Sequence, residues 1–210
     1  MTAMTWWTHE VRRCGKQAAA LPVLAALLTC AAIGLDGATV LGRALLSCAL
    51  PAAAALACAA VVAREPLLEL HLSLPTPYPR TVARRLAWPT AVTAVAALAL
   101  VTTVTATGHS LDLPGTLLNL AGLTVLLSGG AVWATVRSGS AAPATGLVVA
   151  AVLAKLLLVD RVVADGTGQA LPALLIGGCL TAVSLRALGS GGRAGAGLRP
   201  VGAHSGDREA

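Results

Sequence analysis

Six apolar stretches recur along the chain, each close to the ~20 residues that cross the hydrocarbon core of a bilayer. They run Ala18–Leu35, Ala44–Ala63, Ala87–Thr107, Thr116–Val136, Ala144–Val163 and Leu171–Leu188. Backbone in lipid has no water to bond, so each stretch must close its own hydrogen bonds as a helix. The sequence therefore predicts an all-α fold, a polytopic membrane helix bundle of about six transmembrane helices. Composition agrees, since 56% of the 210 residues are hydrophobic and 11% charged, against about a quarter charged in soluble domains. Lys155 and Asp160-Arg161 interrupt the fifth stretch and the sixth is short, so hydropathy alone leaves open whether these two cross fully.

Orientation follows from the basic residues of the connections, which stay on the cytoplasmic side. Twelve Lys and Arg belong to the N-terminus, the 64–86 and 137–143 connections and the C-terminal end, and two to the alternate connections. Both termini are thus expected in the cytoplasm of a multi-pass cell-membrane protein. The first stretch follows Arg12, Arg13 and Lys16 and so resembles a signal peptide. Its run exceeds a typical h-region and no A-x-A site closes it, which favours a retained helix. Thr29 fits poorly before Cys30 in the lipoprotein-like Leu-Leu-Thr-Cys at 27–30.

Three regions result. Residues 1–17 form a cytoplasmic N-terminus in which Trp6 and Trp7 beside a basic run suit an interfacial helix, although a frayed terminus fits equally. Residues 18–188 form the six-span domain, and 189–210 a Gly-rich tail expected to be disordered.

Several function classes are disfavoured. The net charge of +6 flanks apolar runs rather than forming one patch, and the few aromatics give no stacking platform for nucleic acid. The five cysteines form no C-x-x-C pair, so neither a metal site nor a disulfide framework is expected. An intramembrane enzyme needs polar groups converging at one depth, yet the spans contain no His and their carboxylates lie near the ends. No cofactor is expected.

The connection from Arg64 to Leu86 is far longer than a helical hairpin requires. Pro66 suits the first turn of a short helix and Pro75 would stop it. Glu65, Glu69 and Ser73 recur every four residues beside a Leu-rich face. The alternation from Leu68 to Leu74 fits a strand as well, but a lone strand in a loop has no pairing partner. A short cytoplasmic helix is expected, docking its Leu face on protein or lying on the lipid surface.

These residues carry a resemblance. Glu-x-x-Leu-Glu-Leu-x-Leu-Ser-x-Pro at 65–75, directly after the second span, resembles the cytoplasmic connection of ABC transporter permeases of the type-two exporter class. In that family Glu-x-Gly-Thr-Leu-Glu-x-Leu-Leu-x-x-Pro leads into a basic, Leu-rich approach to the third span. Leu68, Glu69, Leu70, Leu72 and Pro75 match, Arg80, Arg84 and Arg85 supply the basic approach, and Pro66 and Leu67 depart from Gly-Thr. The resemblance implies a permease subunit with no ATPase of its own, and no G-x-x-x-x-G-K-[ST] loop occurs in the chain. It further implies a separate ABC ATPase subunit, a second permease copy or paralogue, and ATPase coupling through a helix bearing Glu65, Leu68, Glu69, Leu70, Leu72 and Pro75.

A non-transporting scaffold or regulator that anchors a cytoplasmic partner is the alternative, because topology does not establish function. Within the spans, Lys155 is a candidate pathway residue, or its stem snorkels outward near Asp160. Asn119 is expected to make an interhelical hydrogen bond, and Gly129-Gly130 and Gly177-Gly178 to allow close packing. The substrate is not legible.

Overall fold

The computed structural model describes residues 16–36, 40–63, 78–108, 112–162 and 167–194. They form six helices: α1 (Lys16–Asp36), α2 (Val40–Ala63), α3 (Tyr78–Ala106), α4 (Leu113–Ser138), α5 (Ala141–Val162) and α6 (Thr167–Ala194). No strand occurs among the described residues. Five of the helices, α2 to α6, are long and apolar enough to cross a membrane, the fifth and sixth stretches included. The apolar part of α1, Ala19–Gly34, is shorter. Large side chains such as Leu28, Val95, Leu158 and Leu175 are exposed on the outside of the bundle, as a lipid-facing surface requires. The chain is therefore a multi-pass membrane helix bundle.

Helix ends follow local chemistry. Pro114 stands in the first turn of α4, where a missing N–H loses no bond. Gly139, at φ 67°, ends α4 in the left-handed conformation and donates its N–H to Thr135 O at 2.8 Å. Ser140 then caps α5, its Oγ accepting from the Ala142 N–H at 3.2 Å. Two residues thus turn α4 into α5. At this end Arg137 lies 5.7 Å from the Trp133 ring, a cation–π pair suited to an interfacial belt.

At the centre stands α4, packing most extensively on α6 and then on α2, with α5 on a further side. Small residues permit the α4–α6 contact. A Cβ on Gly177 would lie 2.5 Å from backbone atoms of Val125 and Leu126, and one on Gly129 2.5 Å from Gly177 O. Gly130 instead faces Leu147 of α5, and a Cβ on Gly178 would meet nothing within 4 Å. The glycine pairs serve packing, as expected, but only one member of the second pair does so. Ala55, Ala59, Leu127, Ala131, Ala144 and Val148 knit α2, α4 and α5. Cys58, Val82, Leu86 and Val132 join α2, α3 and α4, while α1 packs on α2 and α3.

Two boundaries differ from the hydropathy reading. α3 begins at Tyr78 rather than Ala87, because Arg84 and Arg85 leave the apolar window without interrupting the backbone ladder. α6 continues past Leu188 to Ala194, with no proline between Leu188 and Pro200 to break it. The expected interfacial helix before residue 16 and the tail from 195 lie outside the described residues.

Candidate functional site

A buried polar side chain in a membrane bundle must find a partner or serve a ligand. Among the described residues six are buried: Thr29, Thr93, Asn119, Thr135, Lys155 and Ser184. Four are hydroxyls that donate to the carbonyl four residues back. Thr29 bonds Ala25 O at 2.8 Å, Thr93 bonds Pro89 O at 2.7 Å, Thr135 bonds Ala131 O at 2.8 Å and Ser184 bonds Leu180 O at 2.7 Å. Their needs are met within their own helices. The remaining two, Asn119 and Lys155, line one and the same cavity.

That cavity, of about 410 Å³, lies among α2, α4, α5 and α6. Leu123, Leu127, Val152, Ala173 and Ile176 give it apolar walls, with Cys48 on α2 and Gln169 on α6 as further lining. α5 and α6 both rest on α4 yet hardly touch each other, so the cavity opens between them. Ile176, 54% exposed, stands at that mouth.

Lys155 owes its place to a defect in α5. The helix widens into a π-turn at Lys155–Val159, closed by the Asp160 N–H donating to Lys155 O. In a regular α-helix, at ~100° per residue, position i+5 points ~140° away from i. The wider turn brings the two side chains together, and Lys155 Nζ donates to Asp160 Oδ1 at 2.6 Å. The lysine side chain is 6% exposed and the aspartate 26%. The stem thus runs outward, as a snorkelling lysine would, but ends on a carboxylate rather than in water.

Asn119 departs from its expected role. It is 9% exposed, and its amide makes no hydrogen bond among the described residues. It lines the cavity about one turn before Gly122, whose Cβ would stand 2.8 Å from Ala170 O of α6.

The pairing gives an asymmetric prediction. Asp160→Asn strips a buried ammonium of its carboxylate and should destabilise the bundle by about 3 kcal/mol. Lys155→Met leaves only a partly exposed carboxylate, so about 1 kcal/mol is expected. Unfolding in mixed micelles with rising SDS would measure both, and equal or reversed losses would refute this account of the pair.

A second cavity, about 590 Å³, lies between α1 and α3 and is lined by Leu27, Val95, Ala99, Leu100 and Thr103 among others. The Thr103 hydroxyl is turned onto Ala99 O at 2.7 Å, and neither Asn119 nor Lys155 reaches this groove. Among the described residues no three His, Cys, Asp or Glu side chains converge to hold a metal ion.

The sequence-expected coupling residues Glu65, Leu68, Glu69, Leu70, Leu72 and Pro75 lie outside the described residues. Sequence reasoning missed the convergence of Asn119, Lys155, Gln169 and Cys48. A signal was present, because all four fall near the helix ends remote from the 64–77 connection. No family model matches the chain, and neither a curated protein nor a solved structure gives a match.

Proposed function

We propose that this chain is the membrane-spanning permease subunit of an ATP-driven ABC exporter, with ATP hydrolysed on a separate partner chain. The observation that carries the reading is the 65–75 segment, whose acidic stripe, Leu face and bounding prolines sit in a connection too long for a hairpin. A segment of this kind suits docking on a cytoplasmic protein better than on anionic lipid, whose charge matches that of the glutamates. In this reading α1 also crosses; its 21 residues reach about 30 Å. Both termini and the 64–77 connection then lie in the cytoplasm of a cell-membrane protein. A second permease copy or paralogue completes the assembly.

The geometry of α3 supports this reading. At 29 residues the helix begins before its membrane-capable part, Val82–Ala106, whose first turn carries Arg84 and Arg85 next to the connection. Val82 and Leu86, on the connection side of Pro89, tie its first turns to α2 and α4, so displacement at Tyr78 reaches both. Beyond Pro89, which interrupts the hydrogen-bond ladder of α3, Leu100 and Val104 pack with Ile33 of α1.

The test is purification of the tagged chain from its native membrane in mild detergent. An ATPase subunit should come with it, and ATP hydrolysis should rise when the complex is returned to lipid. A stable complex without any nucleotide-hydrolysing chain would leave the scaffold reading in its place.

A further inference from the structure

We infer that the cavity among α2, α4, α5 and α6 binds a membrane-dissolved amphiphile with an uncharged, hydrogen-bonding head, such as a long-chain alcohol, and that Asn119 reads that head. The inference is independent of any ATPase partner.

Three observations converge on it. Volume comes first: about 410 Å³ falls within the ~300–1,000 Å³ of small-molecule sites. The second is the chemistry left unsatisfied. Every buried hydroxyl in the described bundle is closed onto its own helix, whereas Asn119, a residue nine-tenths buried, lines the cavity and makes no hydrogen bond to a described residue. A buried amide without a partner is costly in an apolar setting, and a ligand hydroxyl that both donates and accepts would satisfy its oxygen and its NH₂ together. The third is access. The gap between α5 and α6 faces outward where Ile176 is exposed, so a molecule dissolved in the bilayer enters sideways.

The ion pair sets the charge of the head. Lys155 would attract an anion, but its ammonium already holds Asp160 at 2.6 Å. An anionic head would have to displace that carboxylate or lie beside it, and a cationic head would have to displace the ammonium. An uncharged head leaves the pair intact. The apolar walls of Leu123, Leu127 and Ala173 then take the chain.

The experiment compares three radiolabelled probes of equal chain length, dodecanol, dodecanoate and dodecane, binding to the full-length protein in phosphatidylcholine nanodiscs at pH 8. Saturable dodecanol binding is expected, with dodecane weaker by about tenfold, the worth of one buried hydrogen bond, and dodecanoate weaker because its charge must displace the Asp160 carboxylate or lie beside it. Asn119→Leu should bring dodecanol down to the level of dodecane. Ala173→Trp, which fills the cavity, should abolish saturable binding. Equal binding of dodecanol and dodecane to the unaltered protein would overturn the role of the head, and stronger binding of dodecanoate would overturn its neutrality. Neither comparison depends on a variant folding. Undiminished binding to a folded Ala173→Trp variant would place the site elsewhere and end the proposal.

Discussion

Gly177→Leu is expected to part α6 from α4 and to destabilise the bundle by about 3 kcal/mol or more, the upper range of overpacking. The reason lies in what the new side chain would meet. A Cβ at Gly177 would stand 2.5 Å from Leu126 N and from Val125 C and O. These are backbone atoms of a helix, so relief requires moving α4 as a whole. In lipid, helix association rests on close packing rather than on expulsion of water, and the α4–α6 contact is the most extensive among the described residues. Gly178→Leu is the matched control, because its Cβ would meet nothing within 4 Å. It should stay within about 1 kcal/mol of the unaltered protein, with a slight gain from helix propensity. SDS-driven unfolding followed by ellipticity would measure both. Equal losses at the two neighbours would show that the contact does not depend on that close approach.

Under the proposed exporter function, loss of the co-purifying ATPase is the expected result of a double change in the 65–75 segment, Glu69→Lys with Leu70→Asp. At the spacing of the expected short helix, Glu69 shares an acidic stripe with Glu65, and Leu70 falls on the Leu-rich face. Reversing a paired interface charge costs about 2–5 kcal/mol, and a carboxylate placed in an apolar contact adds its desolvation. Both residues lie outside the apolar stretches of the sequence, so expression and insertion should be unchanged. Co-purification of the ATPase and ATP hydrolysis in lipid would both be measured. Undiminished values for the double variant would remove the coupling role of this segment.

What could be read from the sequence divides along physical lines. Hydropathy located α2 and α4 closely because their apolar windows and helical ladders end together. It misjudged the start of α3, since lipid depth and backbone hydrogen bonding are separate properties and arginines continue a helix readily. Lys155 and Asp160-Arg161 looked like an interruption of the fifth stretch. In space the π-turn pairs the first two, and the helix remains long and apolar enough to cross. Asn119 was legible as a buried polar group but not as a cavity wall. That depends on which face of α4 the glycines commit to α6, which a pattern along one helix does not reveal. The role of Gly177 as against Gly178 rests on the same rotational setting.

The widened turn in α5 has a consequence for movement. It holds one residue more than an α-turn needs, so the helix beyond it is set about 100° out of phase with the helix before it. Passing that surplus residue along the helix, in the manner of a dislocation, would rotate the far end like a screw without breaking the backbone ladder. Asp160 would swing off Lys155 and the wall of the cavity would turn with it. α5 carries such a defect beyond its buried contacts with α2 and α4 at Ala144 and Val148, while α4 and α6 are locked through backbone contact. The bundle is in this sense a fixed frame with one rotatable bar.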